Sequence, residues 1–403
     1  MTSTTSTTST RNTTSTTTMT STTDVTDGAP AAGTRVISAD NHIIDPRALY
    51  VERLPPAYRD RAPRVVRADD GGDGWSWEGR PPARTFGLEA VAGQPTGGDY
   101  RPSGLRWEEI LPGNYDGAEH LKDMDRDGID AAVLYPSVAM ASYVIPDREF
   151  ALAVVRTYND WLLDDFCAVA PERLVGLCAL PVDDGAELAV AELERCAAKG
   201  AKGFFLPGAP ARPYWDRAHD PLWRAACDAD RPVSFHRNHG GRPPAGEEFD
   251  QHTPGINVGG IVVRFFSAVQ PLTYMIYTGV FERFPTLRVV AAEVNCGWLP
   301  FWRQTLDQNF EQQRHWASLP FDAAPSGTLG RNVFVTALDD WVGFAALRDD
   351  PTLADAVMYS IDYPHSVSLW PESRSYVERL TAGMDPVARD KVLAANAARI
   401  YRL

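Results

Sequence analysis

Beyond residue 33 the chain alternates between two patterns of hydrophobic and polar positions. Short apolar runs occupy residues 35–40, 129–135, 173–180, 201–206, 232–236, 287–293, 332–337 and 356–361. Their length, and their apolar content on both parities, predict strands covered on both faces. Between most of them apolar residues recur at intervals of three and four, which predicts amphipathic helices. Residues 148–170 carry the stripe Phe150, Val154, Tyr158, Trp161, Leu162 and Phe166. Residues 186–198 and 300–313 carry two more, and the seventh helix has the faintest pattern. Eight strands each followed by a helix predict an α/β architecture, a distorted (β/α)8 TIM barrel.

Three stretches break the rhythm. Residues 1–33 are a Thr/Ser tract with almost no large apolar side chains, so a disordered tail is expected there. Met19 lies inside it and offers a second start of translation. Residues 34–403 then form one barrel domain. Residues 43–115 separate the first strand from the first convincing helix, which starts near Asp116. This insertion is rich in Pro, Gly and Trp (Trp75, Trp77, Trp107) and is too long for an ordinary strand-to-helix loop. Residues 237–260 are polar and Gly-rich. Barrel active sites sit at the C-terminal strand ends, where both segments emerge. The second is therefore read as an active-site loop. The first is either a structural cover or, the preferred reading, a lid or pocket wall.

Charge and composition narrow the partners. The formal charge, 39 − 53 = −14, argues against nucleic acid and against anionic membrane. No apolar run approaches the ~20 residues of a membrane span, and the N-terminus lacks the apolar segment of a signal peptide. The five cysteines are odd in number and form no Cys-x-x-Cys pair, which points to a reduced, cytoplasmic setting. A small molecule is the expected partner.

The candidate chemistry lies where the apolar runs end in polar residues. The first run ends Asp40-Asn41-His42, the fifth at His236, and the eighth at Asp362. Strand side chains alternate faces, so Asp40 and His42 share a face with Ser38, His236 with Ser234, and Asp362 with Ser360. Two imidazoles and two carboxylates converging on one point suit a divalent metal such as zinc. Lys202 starts the fourth strand, the wrong end for a lysine-bridged metal pair, so one ion is expected. Asp362 doubles as general base, because a carboxylate beside a metal-bound water can take its proton. Glu293 ends the sixth run with inward parity. It is an acid/base, a partner of a ligand's ring N–H, or half of a salt bridge. Arg237 fits either a substrate carboxylate or a structural ion pair. His239 and His365 are placed to touch substrate or support a ligand, and Trp298 offers stacking surface.

Several stretches together resemble the amidohydrolase superfamily, in the amidohydrolase-related branch that includes aminocarboxymuconate semialdehyde decarboxylase. They are Ile37-Ser38-Ala39-Asp40-Asn41-His42, Asn159-Asp160-Trp161, Pro171-Glu172-Arg173-Leu174-Val175-Gly176, Gly279-Val280-Phe281-Glu282-Arg283-Phe284-Pro285, Gly297-Trp298-Leu299-Pro300 and Asp362-Tyr363-Pro364-His365. The resemblance implies a distorted barrel with one divalent ion, often zinc and sometimes manganese. Its ligand positions fall on Asp40, His42, His236 and Asp362. Relatives are often dimers, which brings a homodimer into consideration. The family's decarboxylases place a histidine at the end of the sixth strand, where this chain has Glu293. An anion beside a leaving carboxylate disfavours decarboxylation. The expected activity is thus metal-dependent hydrolysis of a small aromatic or cyclic carbonyl compound, with nonoxidative decarboxylation as the alternative. A metal-free barrel serving as a binding protein is the reading from another class.

Overall fold

All eight expected barrel strands form, and they pair in parallel. The computed structural model describes residues 33–94, 101–237 and 254–403. The strands are β1 Ile37–Ile43, then β2 Arg64–Arg67 and β3 Asp73–Ser76 within the insertion. β4 Ala131–Pro136, β5 Leu174–Ala179, β6 Gly203–Leu206 and β7 Val233–His236 follow. β8 Val289–Ala292, β9 Val333–Ala337 and β10 Val357–Tyr359 complete the set. The barrel runs β1-β4-β5-β6-β7-β8-β9-β10. Its last seam is carried by residues just past β10: the Asp362 N–H donates to Asp40 O at 2.9 Å, and the His42 N–H to Tyr363 O at 2.6 Å. Every residue of the eight barrel strands is buried. That is why their sequences read as near-continuous apolar runs rather than as alternation.

The helices follow their caps. Gly117–Asp127 opens at Asp116, whose carboxylate accepts from the N–H groups of Ala118 and Glu119, and closes at Gly128 in the left-handed region (φ 73°). Ala186–Ala198 has the expected bounds, Leu299–Gln313 begins one residue earlier than expected, and the faint seventh helix is Trp341–Asp349. The segment 148–170 differs. Its α-helix spans Arg148–Trp161 and then widens into a π-turn, Leu162–Phe166. The wider turn carries Leu162 against β5, where a Cβ on Gly176 would lie 2.5 Å from Leu162 Cγ.

The insertion has structure of its own. It contains the helix Leu49–Arg53, the antiparallel β2–β3 hairpin and a bridge between Phe86 and Leu105. Phe86, Leu105, Trp107 and Ile110 join the main core. Three backbone bonds fasten the insertion near the C-terminal strand ends. Ile44 N–H donates to Asn114 O (2.8 Å), Ala92 N–H to Pro364 O (3.0 Å) and Ser366 N–H to Leu88 O (2.8 Å). Among the described residues no helix is long and apolar enough to cross a membrane. The expected N-terminal tail, apart from Gly33, and most of the 237–260 loop, including His239, lie outside the described residues.

Candidate metal centre

Asp40 and His42 leave β1 with His42 Nε2 3.6 Å from Asp40 Oδ1. A bulge between Ser38 and Asn41, which contains Asp40, shifts the β1–β4 register just before His42. From across the barrel, His236 brings its Nε2 to 3.0 Å from His42 Nε2 and 3.5 Å from Asp40 Oδ2. Asp362 Oδ1 lies 3.6 Å from His42 Nε2. All four side chains are fully buried. The four expected ligands therefore come together at the C-terminal ends of β1, β7 and β10.

Two of the inward directions have a different cause from strand parity. β8 ends at Ala292 and β10 at Tyr359, before Glu293 and Asp362 are reached. Glu293 (φ 54°) and Asp362 (φ 53°) instead sit in the left-handed region. That conformation is uncommon outside glycine and recurs at functional sites.

The donor set fits a divalent ion. Among the described residues, both oxygens of Asp40 and Oδ2 of Asp362 are buried without a full hydrogen bond, the Thr336 hydroxyl being the side-chain donor near Asp40. Buried anionic oxygens without partners are costly unless a cation meets them. Two imidazole nitrogens 3.0 Å apart suit a shared ion about 2.0–2.1 Å from each. Electrostatics point the same way. Burial, and then the neighbouring Asp362 charge, push the Asp40 carboxyl well above its usual range. Burial pushes the His236 imidazole down to about 4, leaving it neutral as a ligand must be.

The other candidates resolve unevenly. Glu293 reaches the same point, with Oε2 3.4 Å from His236 Nε2. Its firm partner is Arg237, which holds both carboxylate oxygens through Nε and Nη2. Burial, then Asp362, raise Glu293 to about 7. Of the three readings open to Glu293, the ion pair with Arg237 is present, the approach to His236 keeps the other two open, and Arg237 Nη1 is buried with no hydrogen-bond partner among the described residues. His365 stacks on His42 (centroids 3.9 Å apart) with Nδ1 3.0 Å from Asp362 Oδ1. Burial opposes charge on His365, but the carboxylates of Asp362, Glu293 and Asp40 together outweigh it and the pKa rises. Trp298 donates to Val294 O and packs on Trp302, and neither partner belongs to the ligand cluster.

Two neighbours went unread in the sequence. Ser137 Oγ lies 3.5 Å from His42 Nδ1, just past β4. The Tyr135 ring packs 5.8 Å from His42 and 5.5 Å from His236. Both stand at the end of the second barrel strand, and the strand-end rule used for the ligands points to them equally.

Comparisons with known proteins supply the context. The Amidohydrolase family profile matches residues 110–403. The chain is 27% identical over 311 residues to γ-resorcylate decarboxylase of Rhizobium sp. (strain MTP-10005), covering 70% of this chain and 86% of that protein. An amidohydrolase structure from Mycobacterium avium subsp. paratuberculosis K-10 superposes with TM-score 0.74 at 22% identity, over 92% of this chain and all of the other. A 5-carboxyvanillate decarboxylase mutant from Novosphingobium aromaticivorans, with bound manganese and 3-methoxy-4-hydroxy-5-nitrobenzoic acid, aligns at TM-score 0.61 and 22% identity. That alignment covers 73% of this chain and 84% of the other. With the profile spanning well over half of its residues, this protein belongs to the amidohydrolase family.

Proposed function

We propose that this protein is a nonoxidative decarboxylase of o-hydroxylated aromatic acids. The observation that carries this reading is the likeness to γ-resorcylate decarboxylases, which extends over 86% of the relative. The expectation of hydrolysis rested on Glu293 as a bare anion. Its double contact with Arg237 balances that charge, so the argument against a leaving carboxylate loses its force.

Asp40, His42, His236 and Asp362 would hold one divalent ion, with manganese or zinc both suited to the donors. Such an ion supplies positive charge that anchors an anionic hydroxy acid and draws electron density from its ring. Asp362 delivers a proton to the ring carbon that bears the carboxylate. The bond from that carbon to the carboxylate then breaks, its electron pair restores the aromatic ring, and CO2 leaves. His365, 3.0 Å from Asp362, is positioned to return a proton to it.

The test uses 2,6-dihydroxybenzoate with the metal-loaded protein in deuterated water, with a parallel run in 18O-labelled water. Release of CO2 and resorcinol, with one solvent hydrogen gained by the ring, is the expected result. Asp362→Asn should lower turnover by about 10²–10⁴-fold. No CO2 from any o-hydroxybenzoate, with 18O entering the product of an ester or amide analogue, would overturn the reading in favour of hydrolysis.

A further inference from the structure

A cavity of about 400 Å³ opens beside the metal centre, and no step above uses it. Most of its wall comes from the insertion, including Trp75, Trp77, Phe86 and Glu89. Ser137 and Ile145 belong to the facing wall. The wall from Gly74 to Glu89 precedes residue 110, where the family profile match begins.

Two connections tie the cavity to the chemistry. Ser137 lines it and also lies 3.5 Å from His42 Nδ1, one imidazole width from the nitrogen that faces the other ligands. On the insertion side, Leu88 O accepts from Ser366 N–H, next to His365 and beside the lining residue Glu89. The lining combines aromatic and aliphatic side chains with the charged Glu78, Arg80, Arg84 and Glu89, a mixed character found in small-molecule pockets, and its volume falls within the usual range. It also exceeds what a single substituted benzene ring fills. Two lining polar atoms are buried and, among the described residues, unsatisfied: the donor Trp75 Nε1 and the acceptor Glu89 Oε2. Buried polar groups normally have partners, so each marks a place for a ligand group.

We propose that this cavity is the specificity site for a second, hydroxylated aromatic ring on the substrate, next to the ring that reacts at the metal. The proposal rests on the decarboxylase reading for the identity of the reacting end only. The indoles stack on the distal ring. Its substituents accept from Trp75 Nε1 and donate to Glu89 Oε2. Substrates would then be two-ring hydroxy acids, larger than the single-ring acid of the curated relatives.

The test separates binding from turnover. Calorimetry on the full chain compares 4-hydroxybiphenyl with biphenyl, neither of which carries a carboxylate. The hydroxylated probe should bind about tenfold more tightly, the effect of a hydrogen bond to a charged group. Trp75→Phe and Glu89→Gln should each remove most of that difference, and Ala141→Trp, which fills the cavity from the facing wall, should abolish binding of both probes. The two-probe comparison on the wild type stands even where a variant fails to fold. Equal affinities for the probes, or no binding of either, would overturn the proposal. Probe binding without decarboxylation of any acid would keep the pocket and sink the decarboxylase reading, while decarboxylation without probe binding would do the reverse. Where both hold, the kcat/KM preference for a 2-hydroxybenzoate bearing a 4-hydroxyphenyl group over its phenyl counterpart should fall about tenfold in Glu89→Gln.

Discussion

Arg237 and Glu293 decide the electrostatics of the site, and each depends on the other. Both are buried, at 8% and 3% exposure. Removing one partner of such a pair leaves an uncompensated charge, which costs roughly 3–5 kcal/mol. Arg237→Leu should therefore destabilise the protein by about that amount in urea denaturation, and Arg237→Leu/Glu293→Leu should recover most of it. A double variant as unstable as the single would show that packing, including the Arg237 stack on Phe265 (4.9 Å), matters more than charge. At the ligands, His236→Ala should lower bound metal well below the ~one ion per chain expected of the wild type. Elemental analysis of the two proteins purified side by side checks this and identifies the ion. The ligand types were readable because each ends an apolar run. Arg237 and Glu293 were each readable as ion-pair candidates, but that they meet was not, because a left-handed turn at Glu293 aims the carboxylate and sequence parity does not encode that turn.

At the level of elements, the eight strands and most helices were legible, because burial on both faces and a one-sided stripe leave plain periodic marks. The end of the helix beginning at Arg148 was not. Its apolar stripe continues through Leu162 and Phe166, so the pattern shows no break where the turn widens. What fixes that turn is contact with β5: Leu162 fills the space that Gly176 leaves empty. Gly176→Val should push Leu162 aside and cost roughly 1–3 kcal/mol, read as a lower thermal midpoint. An unchanged midpoint would mean that the π-turn relaxes freely. The Gly-, Pro- and Trp-rich composition of the insertion marked it as unusual. Its hairpin is local, but its backbone bonds to Pro364 and Ser366 depend on partners more than 250 residues away and leave no local trace.

For the whole molecule, stability should depend on pH through His120, which lies against Phe166 and Tyr363 with Nδ1 2.8 Å from Gly113 O. Burial pushes it down to about 4. In the unfolded chain it would titrate near 6.5, so below that pH the unfolded state binds more protons. Its contribution is present in full above pH 6.5 and is lost as pH falls toward 4, up to roughly 3 kcal/mol. Subtracting the pH profile of His120→Gln from that of the wild type should leave this slope, and parallel profiles would rule it out. Metal should stabilise the whole barrel as well. The buried, unsatisfied oxygens of Asp40 and Asp362 lose their compensation when it is removed. A chelator should lower the thermal midpoint, the stability lost being set by occupancy, about 2.7 kcal/mol at a hundredfold excess over Kd.

The sequence by itself determined the barrel, its strand count and the four residue types that meet at one pole, because these follow from burial periodicity and from polar residues ending apolar runs. Tertiary structure alone decided which way Glu293 and Asp362 point, that Arg237 neutralises Glu293, and that a distant insertion walls a cavity beside His42. Those outcomes depend on backbone turns and on contacts across the chain, where the energy of one residue depends on neighbours that the local pattern does not contain.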